Sequence, residues 1–167
     1  MKFFSANIED LRTLYTETLQ KALDMEQKIV DALPTMIEKS TDPQLASAFR
    51  NHLEQTKGHV TKVQSILRRA TGEASASTCK VISSLVTEAE DGIKDAKDTG
   101  IRDITLISSG QQVEHHEIAV YGTLRTWAGI LNQRDDAAVL ESILKEEEAA
   151  DKLLTQIAGH VNLEAAA

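Results

Sequence analysis

Three glutamates and two histidines occupy positions in apolar helical stripes where an apolar side chain would be expected: Glu26, His52, His59, Glu117 and Glu147. Each glutamate lies one heptad or one turn from apolar residues of its stripe, so each is predicted to face the core. A carboxylate buried alone costs several kcal/mol. Three of them facing one core, joined by imidazoles from a fourth helix, need a compensating cation. The pattern therefore predicts a metal site inside a helical bundle.

Two further carboxylates extend the set of candidate ligands. Glu114 lies on the edge of the stripe that carries Glu117, and Asp151 lies one turn beyond Glu147 on the same edge of its helix. The full candidate set is Glu26, His52, His59, Glu114, Glu117, Glu147 and Asp151. These side chains suit iron, with manganese or zinc as alternatives, bound as one ion or two. The structural alternative is a buried ion pair for each glutamate and a hydrogen-bonded core position for each histidine.

Other polar residues near these positions are expected to be exposed or supporting. His115 and His116 are adjacent and point about 100° apart, so neither is as central as a ligand should be. Glu54 faces away from the stripe of its helix. Gly58, beside His59 in mid-helix, costs roughly 1 kcal/mol relative to alanine, which a close helix approach or space for a bound species would explain.

Four long amphipathic helices and one short one are predicted to position these residues. Their boundaries follow from apolar periodicity, from cap residues such as Asn7 and Asp42, and from Pro43 at a first helical position. The predicted elements are helix A from about Ile8 to Lys39, helix B from Pro43 to Thr71-Gly72, a connecting helix with Val81 to Ile93 that ends at Thr99-Gly100, helix C from about Ile101 to Leu131, and helix D from about Asp135 to Val161.

The links between the helices set the predicted topology. The A–B and C–D links are short and predict two antiparallel hairpins, whereas the B–C link is long enough to cross the bundle. The long helices have similar lengths, roughly 40 to 48 Å, which favours a bundle over a globin-like packing. We therefore predict an all-α, ferritin-like four-helix bundle with an extra short helix between helices B and C, in one domain over residues 1–167.

Composition and charge exclude several classes of function. The 167 residues carry a net charge of −8 without a basic stripe, which argues against binding to nucleic acid or to anionic membranes. No apolar run approaches the roughly 20 residues of a transmembrane helix, and the N-terminus turns acidic too early for a signal peptide. Cys79 is the one cysteine, so no intramolecular disulfide can form. We expect a cytoplasmic protein.

Four segments resemble the YciE/YciF family of ferritin-like proteins. They are Asp24 to Lys28, His52 to His59, Glu114 to Leu124 and Glu146 to Asp151. The second and third are the most specific, and the resemblance covers essentially the whole chain. It implies a ferritin-like bundle, a homodimer, a dinuclear metal centre and a link to bacterial stress responses. Matched long helices and an amphipathic fifth helix also favour a dimer, because they leave apolar surface to cover.

The chain departs from the usual ferritin ligand pattern at two points. Ferritins and rubrerythrins usually carry Glu-x-x-His on helices B and D. Here Thr56 precedes His59 where a glutamate is expected, and Ala150 follows Glu147 where a histidine is expected.

Three functional hypotheses follow, and whether the protein is an enzyme stays open among them. The first is a stress-associated bacterial protein that binds iron or another divalent metal and reacts with oxygen or peroxide, with Tyr15 or Tyr121 supplying a proton or an electron. The second is a structural or interaction protein with a vestigial metal site. The third is a bundle that binds a small molecule between its helices.

Overall fold

The computed structural model describes residues 8–165, which form five α-helices and no strand. The helices are α1 (Leu11–Lys39), α2 (Pro43–Thr71), α3 (Lys80–Asp95), α4 (Thr99–Ile130) and α5 (Arg134–Ala165). The four long helices correspond to the predicted helices A to D, and α3 is the short helix between B and C. The predicted all-α, ferritin-like bundle is confirmed.

The start and end of α2 follow the predicted cap signals. Asp42 accepts a hydrogen bond from the backbone N–H of Leu45 at 2.8 Å, and Pro43 occupies the first helical position. At the other end Gly72 adopts φ of +87°, the left-handed conformation that glycine reaches without steric cost. The predicted boundaries of this helix are confirmed.

Two other boundaries differ from the prediction because an aspartate provides the cap. The proposed cap Asn7 lies outside the described residues, and α1 begins at Leu11 behind Asp10, which accepts a hydrogen bond from Thr13 N at 2.8 Å. Thr99-Gly100 does not end the connecting helix but opens α4 behind Asp98. Each aspartate accepts a first-turn N–H that otherwise has no partner within the helix.

Contacts at the two ends of the bundle establish the antiparallel pairs. α1 runs antiparallel to α4, because Thr41, just after α1, contacts Asp103 near the start of α4. α2 runs antiparallel to α5, because Asp42 lies 3.1 Å from His160 and Arg69 lies 2.5 Å from Asp136. The connection from α2 to α4 therefore spans the length of the bundle.

The short helix α3 lies on the outside of the bundle, against α1 and α4. Asp24 of α1 accepts a hydrogen bond from Cys79 N at 2.7 Å at the start of α3, and Lys28 donates to Ser83 Oγ at 2.8 Å. These contacts fix the crossover connection to the first long helix. Among residues 8–165, no helix is long and apolar enough to cross a membrane.

Apolar side chains fill the bundle above and below one polar layer. Buried leucines flank the polar position of three helices: Leu19 and Leu33 around Glu26, Leu106 and Leu124 around Glu117, and Leu140 and Leu154 around Glu147. Because the flanking layers are tightly packed and apolar, they keep bulk water away from the glutamates between them.

Asp103 of α4 holds the turn between α1 and α2. Its buried carboxylate accepts hydrogen bonds from Thr41 N, Thr41 Oγ1 and Asp42 N at 2.8, 2.5 and 2.8 Å. The turn therefore depends on a side chain from a distant part of the chain for its backbone hydrogen bonds.

We expect Asp103→Ala to lower the free energy of unfolding by about 2 to 4 kcal/mol, because two backbone N–H groups and one hydroxyl lose a charged acceptor. Urea denaturation measures the change. The control Asp95→Ala removes an exposed aspartate and should alter stability by less than about 0.5 kcal/mol. Equal stability of the two variants would contradict this role for Asp103.

Gly58 is not a point of close helix approach, so the first of the two explanations for its mid-helix position was wrong. A Cβ built at this position has no neighbouring atom within 4 Å, whereas one at Gly110 would lie 3.0 Å from Leu154 Cδ1.

We therefore expect Gly58→Ala to raise the free energy of unfolding by about 0.5 to 1 kcal/mol through the helix propensity of alanine. Gly110→Ala, the control in α4, should gain less or lose stability in the same urea titration. A loss at Gly58 would contradict the open environment.

Candidate metal centre

Six of the seven predicted ligands converge in the polar layer, and they form two groups that share Glu147. In each group, ligand atoms from every member lie within 4.8 Å of one another. The first group is Glu26, His59 and Glu147; the second is His52, Glu114, Glu117 and Glu147. All six side chains are buried, and they come from α1, α2, α4 and α5. The carboxylate of Glu147 belongs to both groups and so joins them.

His59 is oriented by a carboxylate on its outer side. Its Nε2 lies 2.6 Å from Glu146 Oε2, while its Nδ1 faces inward, 2.9 Å from Glu147 Oε1 and 3.6 Å from Glu26 Oε2. An ionised carboxylate can only accept, so Nε2 carries the hydrogen in this contact. When the imidazole is neutral, Nδ1 is then the nitrogen that is free to bind a metal.

His52 belongs to the second group. Its Nε2 lies 3.3 Å from Glu114 Oε1 and its Nδ1 lies 3.9 Å from Glu147 Oε2. Burial lowers the pKa of His52, which favours the neutral imidazole that metals bind. Glu117 completes this group with both oxygens buried.

Unpartnered polar atoms concentrate in this layer. Among residues 8–165, twelve buried side-chain nitrogen and oxygen atoms have no hydrogen-bond partner, and nine of them belong to the six residues of the two groups. Both oxygens of Glu117 and of Glu147 are among them. Because unsatisfied buried acceptors are costly, the protein groups alone do not account for this layer.

The pKa shifts in the layer indicate that it has too little positive charge for its carboxyl groups. Burial, reinforced by the Glu147 carboxylate, raises the pKa of Glu26 and of Glu117, and raises the pKa of Glu114 to about 10. For His59, burial opposes the charged form, but the carboxylates of Glu147 and Glu26 outweigh it and raise the pKa to about 10. Without a metal, the layer retains protons to limit repulsion between its carboxylates.

Two residues outside the ligand groups support them. Tyr121 donates a hydrogen bond to Glu26 Oε1, and burial raises the pKa of the phenol well above its ordinary value. Glu146 also accepts from Lys62 at 3.1 Å, and the hydrogen bonds from His59 and Lys62 outweigh burial and lower its pKa. Both residues orient a candidate ligand through a hydrogen bond, as residues next to metal ligands commonly do.

The remaining candidates lie outside the two groups. Asp151 is half-buried, 3.4 Å from His115 Nε2, and it accepts a hydrogen bond from Gln111 at 3.4 Å. His116 lies 3.7 Å from Cys79 Sγ. Thr56 is buried, and its hydroxyl donates a hydrogen bond to the carbonyl of His52 in its own helix.

Glu146 contacts His59 but is absent from the candidate residues that the sequence analysis selected. The available signal was its position next to Glu147, about 100° around the helix, which turns it toward the helix that carries His59.

The donor set fits divalent metal ions. Four carboxylates and two imidazoles provide hard and borderline ligands of the kind that iron and manganese prefer, and zinc accepts them as well. The unpartnered oxygens and imidazole nitrogens supply the lone pairs, and Glu147 is placed to serve both sites.

The raised pKa values give the metal-free protein a defined pH dependence. Glu114, Glu117 and His59 bind protons more tightly when folded, so the stability they contribute is complete below their unfolded pKa values and is lost as pH rises through the folded values. Between pH 7 and 9 we expect stability to fall, by up to about 1.4 kcal/mol per pH unit for each retained proton. Urea midpoints across this range measure the slope.

Two variants distinguish the loss of protons from the buried layer from a general effect of removing one negative charge. Glu117→Gln should flatten the slope, because a neutral amide has no proton to lose, whereas Glu148→Gln at an exposed position should leave it unchanged. A metal-free protein that becomes more stable from pH 7 to 9 would contradict the electrostatic description of the layer.

Comparison with known proteins places the chain in a family. A family model described as "Domain of unknown function (DUF892)" matches residues 10–167. Protein YciF of Escherichia coli (strain K12) is 31% identical over 153 residues, which make up 91% of this chain and 92% of YciF.

Solved structures agree with the sequence match. YcfI from Rhodopseudomonas palustris superposes with a TM-score of 0.88 at 33% identity, covering 92% of this chain and 98% of that one. The E. coli stress protein YciF superposes with a TM-score of 0.87 at 30% identity, covering 92% and 97% of the two chains. The chain therefore belongs to the DUF892 family and is a relative of the stress protein YciF, as its helix signatures indicated.

Proposed function

We propose that the protein binds two divalent metal ions, iron or alternatively manganese or zinc, at the two ligand groups joined by Glu147. One observation carries the proposal: Glu147 is fully buried, its nearest charged or polar partners are His59 Nδ1 at 2.9 Å and His52 Nδ1 at 3.9 Å, and its oxygens lie within 4.8 Å of ligand atoms of both groups. A buried carboxylate in this condition is stabilised by a bridging position between two cations.

The surrounding residues prepare this site without metal. Glu146 fixes the His59 ring with Nδ1 inward, and Tyr121 fixes one oxygen of Glu26, which leaves Oε2 free. Ligands held in place by packing and by outer hydrogen bonds lose little freedom on binding.

We further propose that the bound centre takes part in a stress response. A pair of redox-active ions would supply electrons for the reduction of oxygen or peroxide. Tyr121 is the residue best placed to assist, since its hydroxyl touches Glu26 and its ring centroid lies 6.5 Å from that of His59. Burial and the Glu26 carboxylate raise its pKa, so the phenol stays protonated and keeps its hydrogen bond to Glu26. Tyr15 is buried without a hydrogen-bond partner and belongs to neither ligand group.

A second candidate function is a structural or interaction protein with a vestigial site. The observation in its favour is that Tyr121–Glu26, His59–Glu146 and His59–Glu147 contacts satisfy part of the layer without metal. In this case the metal-free protein is the functional form.

Metal analysis distinguishes the two functions. Protein purified without an affinity tag and titrated with Fe²⁺, Mn²⁺ or Zn²⁺ should bind close to two ions per chain. Binding should release protons, because the retained protons of Glu117, Glu114 and His59 must leave. It should also raise the melting temperature in proportion to the logarithm of the metal concentration. Absence of stoichiometric binding would support the vestigial site.

Single substitutions test the shared carboxylate. Glu147→Ala should remove both sites, whereas Glu26→Ala and Glu117→Ala should each remove one. In metal-free protein, Glu117→Ala should cost little or even stabilise, because it relieves repulsion between carboxylates. Glu148→Ala, at the next and exposed position, is the matched control and should bind as the unmodified protein does. Full occupancy in Glu147→Ala would contradict the bridged arrangement.

Homodimerisation is part of the proposal and follows from the family resemblance and from the amphipathic α3. Light scattering across micromolar concentrations tests it. A mass of one 18.3 kDa chain throughout would contradict it.

A further inference from the structure

A cavity of about 390 Å³ lies between α1, α3 and α4 and reaches the polar layer from the side. Its walls are mainly apolar and include Ile29, Leu33, Met36, Leu85, Val86 and Ile93. On α1 the lining runs from Lys28 to Met36, roughly 12 Å along the helix, so the cavity is elongated. This volume is within the range of small-molecule sites.

The inner end of the cavity is polar and unsatisfied. His52 and Glu114 line it, and they are only 6% and 3% exposed. Both ring nitrogens of His52 and Oε2 of Glu114 have no hydrogen-bond partner. The outer rim carries the exposed side chains of Asp31, Thr87 and Glu90. A mainly apolar cavity that is also lined by buried polar atoms without partners suits a molecule with an apolar tail and one polar head.

The charges around the inner end restrict the chemistry of that head. Glu117 and Glu147 have ligand atoms within 4.8 Å of those of Glu114, so an anionic head would add negative charge to a group of acidic side chains. A cationic head would compete with metal ions for the same oxygens. The exclusion of a cationic head therefore rests on the metal binding proposed above. An uncharged oxygen-bearing head avoids both problems and can exchange hydrogen bonds with His52 and Glu114.

We propose that this cavity binds an unbranched aliphatic molecule with one small uncharged head, such as an alkanol. Its tail lies between α1 and α3, and its head lies at His52 and Glu114. The cavity thus forms a binding site beside the metal centre and gives an apolar substrate direct access to its second ligand group.

Calorimetric titration of metal-free protein with n-pentanol to n-nonanol tests whether the cavity binds the aliphatic tail. We expect one molecule per chain and an affinity that rises about fourfold for each added methylene until the cavity is filled. Because the measurement uses metal-free protein, it succeeds or fails independently of the metal site. Absence of saturable binding would overturn the proposal.

Two α3 variants test the location. Ala89→Phe places a ring in the cavity and should weaken n-nonanol binding by about tenfold or more, equal to the loss of about two methylenes. Val81→Phe changes an exposed position of the same helix outside this cavity and should leave the affinity within about twofold. Ala32→Phe, from the α1 wall, gives a second test should Ala89→Phe fail to fold. Unchanged binding in a folded blocking variant would overturn the assignment.

The head is tested by comparing n-nonanol with nonanoate at neutral pH. The alkanol should bind at least about tenfold more tightly, because the carboxylate would lose its hydration in a mainly apolar cavity beside acidic side chains. Equal affinities would place the head at the Lys28 end of the cavity and would overturn the assignment of the polar end.

Discussion

The buried carboxylate of Glu147 is the constraint on which the rest of the structure depends. It lies between two imidazoles, with His59 Nδ1 at 2.9 Å and His52 Nδ1 at 3.9 Å, and neither of its oxygens makes a hydrogen bond. Charge interactions are strong in an interior with little water, and the imidazole of His59 compensates this carboxylate directly only at Oε1. The apolar layers above and below create this condition by excluding water. The fold therefore retains an unfavourable group at its centre, which is typical of a binding site.

The ends of the bundle set the level of this central layer. Asp103 holds the turn after α1 against α4, while the Asp42–His160 and Arg69–Asp136 contacts fix α2 against α5. A slip of one helical turn between two helices would move a ligand by about 5.4 Å, farther than the spacing within either ligand group. Polar contacts at the ends thus determine the distances between side chains at mid-height, although they lie far from the site.

The site uses the donor types of ferritin-like dinuclear centres in a different distribution. Such centres usually combine a glutamate from each of two helices with a Glu-x-x-His pair from each of the other two. Here α2 supplies both histidines, two turns apart, and α4 supplies two glutamates three residues apart. Four carboxylates and two imidazoles are still present. The missing motif therefore does not reduce the number of donors; Glu114 and His52 supply the two that the motif would have provided.

The sequence by itself determined the helices, the hairpin–crossover–hairpin order and five polar residues that face the core, because apolar periodicity and most caps are local properties. It placed Glu114 and Asp151 alike on the edge of a stripe and did not distinguish them. Tertiary structure decided what depends on the rotation and level of one helix relative to another. It divided the ligands into two groups around Glu147, turned Asp151 toward His115, and placed Glu146 behind His59. It also set α3 against α1 and α4, where the cavity opens toward His52. A helical wheel gives the direction of a side chain from its own axis, whereas distances between helices follow from packing of the whole core.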